Sequence, residues 1–259
     1  MSEFKTPRKR FGQNFLHDQN IIDKIVSAIA PQPHDAMIEI GPGRGALTFS
    51  ILDQVERLDV IEIDRDLIQW WQEKKIGSLT IHAVDALNID LCSLKKEKNL
   101  RIVGNLPYNI STPLLFHLFK HLDCIKDMHF MLQKEVVDRM VAGPGSKTYG
   151  RLSVMTQFYC QAHRLFSVSR HAFTPPPKVE SAIVHLVPNE DNKNTDAAML
   201  TQVVRQAFSQ RRKTIRNCLK NWFTTEQLER LDINPAVRPE TLDLASYIRL
   251  AAAASEQPQ

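Results

Sequence analysis

The 259-residue chain is poor in cysteine and has no long apolar run. Its four cysteines, Cys92, Cys124, Cys160 and Cys218, are widely spaced with no CxxC pair. That spacing argues against a zinc or disulfide framework and predicts reduced, separately buried thiols. No HExxH occurs among the nine histidines. His117 and His121 share a helical i,i+4 spacing, but without a third ligand beside them no metal site is expected. The longest uncharged run, Ile102 to Phe119, is broken by Asn105, Pro107, Asn109, Ser111, Thr112 and Pro113, so it cannot serve as an apolar membrane span. The opening MSEFKTPRKRFGQNF has no apolar stretch of the kind that directs secretion. A cytoplasmic protein is expected, with no membrane partner. What the chain does have is 43% apolar and 24% charged residues, enough for a sizeable core and for one large domain with a small companion.

The net charge of +4 is unevenly spread. Residues 35–100 carry 8 basic and 12 acidic side chains, whereas residues 101–187 carry 10 basic and 5 acidic ones. From Arg139 to Val179 there are 41 residues with six Lys/Arg and no acid. At the chain's own acid frequency, a given window of that length would be acid-free less than about one time in a hundred. A second acid-free stretch, Ala197 to Thr225, carries Arg205, Arg211, Arg212, Lys213, Arg216 and Lys220. Two such basic fields point to a polyanion.

Short β-like runs at 37–41, 58–63, 79–84, 100–105, 128–132, 163–168 and 181–187 alternate with helix-like ones such as Ile21, Ile22, Ile25, Val26 and Ile29. The pattern predicts an α/β fold with a mostly parallel, doubly wound, Rossmann-like sheet. After Val187 a polar linker, PNEDNKNTD, leads into helical signals only. These predict one continuous helix across TQVVRQAFSQRRKTIRNCLKNWF, a capping box from Thr224 to Gln227, and a last helix with Pro239 near its start. The expected domains are 1–190 and a small all-helical 191–259, with the final SEQPQ disordered.

The first strand runs into Gly41-Pro42-Gly43-Arg44-Gly45-Ala46, where glycines allow a tight turn and a close ligand. Glu62, 21 residues after Gly41, ends the second strand, where a carboxylate can accept both ribose hydroxyls of an adenosine-containing cofactor. That much also fits a nicotinamide dinucleotide. The third glycine, Gly45, and the acids Glu39 and Asp85 favour a cofactor without phosphate, because carboxylates crowded around a pyrophosphate would repel it. S-adenosylmethionine, cationic at its sulfur and amine, fits.

The fourth strand ends in Asn105-Leu106-Pro107-Tyr108, at the sheet edge where open α/β folds bind ligands. The N6 lone pair of adenine is delocalised into the ring. Acceptors for both amine hydrogens, the Asn105 oxygen and a backbone carbonyl near Leu106, would aim that lone pair at a methyl donor. Pro107 fixes the local backbone, and Tyr108 offers a flat face to an extruded base. Phe173, in a loop stiffened by Pro175, Pro176 and Pro177, is expected to stack on the same base from the opposite side, worth about 1–3 kcal/mol.

Four ordered motifs, Arg10-Phe11-Gly12-Gln13-Asn14-Phe15-Leu16, Glu39-Ile40-Gly41-Pro42-Gly43, Asn105 through Thr112, and Phe173 through Val179, resemble the ribosomal RNA adenine dimethyltransferase family. The resemblance implies a class I methyltransferase fold and two methyl transfers to N6 of each of two neighbouring adenines, in a hairpin loop near the 3′ end of small-subunit rRNA. It further implies that Asn14 and Leu16, within a closing segment 1–20, cover the donor's methionine end. Gly41 and Gly43 would form the turn, Glu62 hold the ribose, Asp85 the donor adenine, and Asn105 stand between donor and target. No role is implied for Arg44. The expected partner is small-subunit rRNA within an assembling small ribosomal subunit, bound by a monomer with no DNA substrate. A large-subunit rRNA adenine methylase and an assembly factor acting mainly by RNA binding are the alternatives.

On one helix, Arg205, Arg212, Arg216 and Lys220 would share a face opposite Val204, Phe208, Ile215 and Leu219, and together with Arg211, Lys213, Arg151 and Lys178 they are expected to meet RNA phosphate. Reversing Arg212, Lys213 and Arg216 to Glu should weaken rRNA binding and flatten its salt dependence, measured by filter binding across a salt series. Unchanged affinity and slope would remove these side chains from the interface.

Overall fold

The computed structural model describes residues 14–192, 194–210 and 212–256. A short strand, β1 (Phe15–Leu16), precedes helix α1 (Gln19–Ile29). The side chain of Asp18 accepts from Ile21 N at the start of α1, and Ile22, Ile25, Val26 and Ile29 form the buried stripe that holds the helix against the sheet. The chain then alternates through β2 (Ala36–Ile40), α2 (Thr48–Leu52), β3 (Leu58–Glu62), α3 (Arg65–Lys74), β4 (Leu79–Ala83), β5 (Leu100–Asn105), α4 (Ser111–Leu118), β6 (Ile125–Gln133) and α5 (Lys134–Met140). Next come α6 (Arg151–Tyr159), β7 (Cys160–Val168), β8 (Phe173–Thr174) and β9 (Ser181–Pro188).

The main sheet has the order β4-β3-β2-β5-β6-β9-β7. Strands β4, β3, β2, β5 and β6 run parallel, and β9 pairs antiparallel with β6. Strands β3, β5 and β6 are buried along most of their length, as expected of a sheet covered on both faces. From β2 the chain winds outward to β3 and β4, then returns to β5 on the other side of β2. The order therefore reverses between β2 and β5, and the carboxyl ends of these two strands diverge around a crevice. They approach closely, since a Cβ on Gly104 would sit 2.6 Å from the Ile40 carbonyl oxygen.

At the opposite end of this seam lies a buried charge cluster. Arg101 Nε and Nη2 grip Asp127 at 2.8–3.2 Å, Nη1 reaches Asp35 at 2.7 Å, and Nη2 also donates to the Ile29 carbonyl at 2.7 Å. One guanidinium thus ties α1, the turn before β2, β5 and β6 together with its donors satisfied.

By contact, the chain up to Val137 forms one compact unit with His163–Pro188, and Asp138–Ala162 forms a second with the chain from Asn189 onward. The second unit therefore takes in α6 as well as the expected tail. Its remaining helices are α7 (Ala197–Ala207), α8 (Ile215–Cys218), α9 (Thr225–Arg230) and α10 (Leu244–Ser255). Thr224 and Gln227 form the expected reciprocal capping box.

Several expectations are overturned. The single helix through Arg205 and Lys220 is broken into α7 and α8, because positions 209–214 offer no apolar side chain to bury, and a short helix depends on packing for its stability. Arg205 and Arg216 accordingly do not share one helix face. Pro239 opens a separate 3-10 turn, and Asp243 caps α10 instead. Ser255 ends α10 rather than lying in a disordered tail, and residues 257–259 lie outside the described residues. Cys92 and Cys124 are joined in a disulfide across 32 residues of sequence, while Cys160 and Cys218 are free and buried as expected. No helix among the described residues is long and apolar enough to cross a membrane.

Burial pushes the Asp127 carboxyl up, but His185, with Nε2 3.9 Å away, and Arg101 outweigh it and hold the group well below the usual carboxylate range. A depressed carboxylate stabilises the fold above its unfolded pKa, and that stabilisation is lost as pH falls. Arg101→Met should therefore cost about 3–5 kcal/mol at pH 7 and less near pH 4, where Asp127 and Asp35 can protonate, as read by urea unfolding at the two pH values. An equal cost at both would refute the pairing argument.

Candidate active site

The crevice at the strand reversal opens into a cavity of about 510 Å³, within the usual range for small-molecule sites. All its lining residues belong to the first unit. Its floor is the turn after β2. Gly41, Gly43 and Gly45 have φ of +70°, +54° and +88°, the left-handed region that side chains resist. Gly45 is also sterically required, because a Cβ there would meet the Phe49 and Trp71 rings at 2.4–2.8 Å. Trp71 Nε1 donates to the Gly43 carbonyl at 3.1 Å and pins the turn to α3.

Glu62 ends β3 with 7% exposure, its Oε1 accepting from Ile63 N and Asp64 N at 2.9 Å each. Burial pushes its carboxyl up. Glu39, 2% exposed beside it, is pushed up to about 7 by burial and by Glu62, against one hydrogen bond from Thr48 Oγ1 at 2.6 Å. Asp85, in the loop after β4, accepts from Leu87 N at 2.9 Å. Among the described residues, the only other charged side chain lining the cavity is that of Arg44.

At the end of β5, the Asn105 amide nitrogen donates to the Asn14 carbonyl at 3.1 Å. Because a carbonyl can only accept, this bond fixes which end of the amide is which and leaves Oδ1 as the end available to a ligand. Leu106 N continues the β5–β6 pairing through Met131 O at 3.2 Å, and Ile110 N closes a turn onto the Pro107 carbonyl at 3.2 Å. The Tyr108 hydroxyl shares a 2.7 Å hydrogen bond with Ser181 Oγ, which anchors the ring to β9, and burial raises the phenol's pKa. Asn14, Leu16, Gly41, Gly43, Glu62, Asp85, Asn105, Leu106, Pro107 and Tyr108 all line the one cavity.

Phe173 does not. β8 pairs antiparallel with β1, and the register sets Phe173 opposite Leu16 and Thr174 opposite Phe15. Opposed residues share a face. Leu16 and Phe173 accordingly point into the core, 6% and 2% exposed, where Phe173 packs among Val168, Ala172 and Ile183. Phe15, which carried no expected role, lines the cavity wall, as do Phe49 and Tyr108. Its ring lies 3.3 Å from where a Gly43 Cβ would stand, and the Arg44 guanidinium covers it at 4.7 Å. The alternation of Asn14, Phe15 and Leu16 along a strand was the available signal.

Of the basic residues assigned to RNA, Arg151, Arg205, Arg212, Lys213, Arg216 and Lys220 are exposed in the second unit and Lys178 in the first. Arg211 lies outside the described residues, as do residues 10–13 of the first motif.

Residues 4–256 match the family model described as ribosomal RNA adenine dimethylase. The chain is 54% identical over 250 residues to a ribosomal RNA small subunit methyltransferase A of Coxiella burnetii, covering 94% of this chain and 96% of that one. Among solved structures, a dimethyladenosine transferase from Plasmodium falciparum superposes with a TM-score of 0.78 at 29% identity, over 91% of this chain and 95% of that one. The 23S rRNA methyltransferase ErmE shares the fold, with a TM-score of 0.72 at 22% identity over 94% of this chain and all of that one. A glycine turn, an acid-rimmed crevice and an amide at the end of β5 thus sit in a chain matched almost from end to end, and the protein belongs to the ribosomal RNA adenine dimethylase family.

Proposed function

We propose that the chain transfers two methyl groups to N6 of each of two adjacent adenines in the 3′-terminal hairpin loop of small-subunit rRNA, late in assembly of the small subunit. It acts as a cytoplasmic monomer, with residues 191–259 contributing to rRNA binding. The observation that carries the reading is the orientation of Asn105, whose Oδ1 is left to accept an amine hydrogen because its nitrogen is committed to Asn14.

The enzyme is an S-adenosylmethionine-dependent methyltransferase. When bound, the cofactor supplies an electrophilic methyl group on a sulfonium centre. The charged liners among the described residues, Glu39, Glu62 and Asp85 with Arg44, suit a cationic ligand and would repel a pyrophosphate. Glu62 and Asp85 stand at successive strand ends to accept the ribose hydroxyls and the adenine amine, and Phe15 with Leu16 excludes water from the methionine end. On the target side, Asn105 Oδ1 orients the amine, and Tyr108, immobilised by Ser181, gives the base a fixed flat surface. Catalysis is mainly positional, because the alkylated nitrogen is acidic enough to lose its proton to water. After the first transfer one amine hydrogen is gone, and a neutral amide loses less than a buried carboxylate when its partner disappears.

Labelled S-adenosylmethionine incubated separately with small-subunit particles, large-subunit particles and duplex DNA should label only the first, with dimethyladenosine as the product by mass spectrometry. Label in large-subunit RNA or DNA would overturn the substrate assignment.

Glu39 gives a second check. Its folded pKa of about 7 lies above its unfolded value, so the associated stability is full at low pH and is lost as pH rises through 7. Glu39→Gln, which keeps an oxygen for Thr48, should raise the unfolding midpoint over the parent at pH 8 and leave it nearly unchanged at pH 5 in thermal melts.

A further inference from the structure

Four metal-ligating side chains from two distant chain segments meet beside the loop that follows β4. Asp90 caps the 3-10 turn Leu91–Leu94, its Oδ1 accepting from Cys92 N at 3.0 Å. The same oxygen lies 3.5 Å from His121 Nδ1. His121 sits in the turn Phe119–Cys124, at a kink with φ −116° and ψ 18° that interrupts the helical path after α4. The Asp90 carboxylate, the Cys92 sulfur and the His121 imidazole have ligand atoms within 4.8 Å of one another, and Cys124 is joined to Cys92 with their Cα atoms 5.4 Å apart. Of the pair His117 and His121, only His121 joins this cluster, and the other three side chains are those of Asp90, Cys92 and Cys124.

We propose that, with the disulfide reduced, Cys92, Cys124, His121 and Asp90 form a four-ligand site for a borderline-soft divalent cation of the zinc class. Tetrahedral zinc with bonds of about 2.0–2.1 Å to nitrogen and oxygen sets those atoms about 3.3 Å apart, close to the His121–Asp90 separation. Two thiolates at about 2.3 Å from the metal stand about 3.8 Å apart, within reach of side chains so near at their Cα atoms. His117 braces the imidazole from outside. Its ring meets that of His121 edge-on at 4.8 Å, and its Nε2 is bound to the Ile89 carbonyl at 2.9 Å.

The redox step balances simply. Two molecules of a low-molecular-weight thiol such as glutathione deliver two electrons and two protons to the disulfide, and are joined as their own disulfide. The cation then displaces two protons from the thiols. The other convergence of ligating groups, Asp127 with His129 and His185, lacks this geometry. Those two rings stack face to face at 14° with centroids 4.2 Å apart, and Asp127 is already gripped by Arg101.

The site would join the segment that leads from Asp85, Ala86 and Leu87 to the segment that leads from Asn109 and Ile110, all five of which line the cavity. Its existence does not depend on the methyl-transfer reading, and neither does its test. Full-length protein, reduced with a phosphine and freed of reductant without air, is titrated with Co2+ and then with Zn2+, and bound metal is counted after gel filtration. The expected result is one Co2+ per chain with a thiolate charge-transfer band and a tetrahedral ligand-field spectrum, displaced by one equivalent of Zn2+. His121→Asn should weaken binding by at least about tenfold, and Cys160→Ser should leave it unchanged. A reduced parent protein without the charge-transfer band would overturn the proposal. So would a band that survives the double substitution Cys92→Ser, Cys124→Ser.

Discussion

The pairing of β2 with β5 is the constraint on which the rest of the molecule depends. These strands are neighbours in the sheet but separated in sequence by two full β–α excursions, and they lie so close that only a glycine at position 104 clears the Ile40 carbonyl. At one end of the seam their carboxyl termini part to make the crevice. At the other, Arg101 binds four pieces of chain through one side chain. The crevice therefore has a rigid floor, and the groups around it differ mainly in the loops that carry them, which suits a scaffold meant to orient two reactants.

Within the crevice, electrostatics and geometry act in different places. Three carboxyl groups face the cofactor side, and two of them, Glu39 and Glu62, are raised by burial, so the free site is strained toward a cation. The target side is neutral, made of an amide, a proline and a phenol. This division places the charge of the donor and the uncharged base in environments matched to each, with Asn105 at the boundary.

Much of this was legible in the sequence, and the pattern of what was not is physical. The seven strands of the main sheet were readable as short β-like runs set between helical ones, and the glycine turn because left-handed backbone selects its residue. Local caps such as Thr224 with Gln227 were readable for the same reason: both partners lie within one turn. The misses depend on partners far away in the chain. Phe173 was read as a residue of a proline-stiffened loop, yet it pairs with Leu16 in the β1–β8 ribbon and is buried. The Cys92–Cys124 bond and the approach of Asp90 to His121 leave no trace in spacing. The break between α7 and α8 was hidden by residues that favour a helix but have nothing to bury.

The ribbon of β1 with β8 joins Phe15 to Thr174, and with it the wall of the cavity nearest the glycine turn is held by residues from opposite ends of the first unit. During synthesis the glycine turn, Glu62 and Asn105 all leave the ribosome well before Thr174 does. The cofactor cavity thus acquires its outer wall only once about two-thirds of the 259 residues have been made, and a truncated chain carrying every ligand-facing motif up to Tyr108 would still present an open trough.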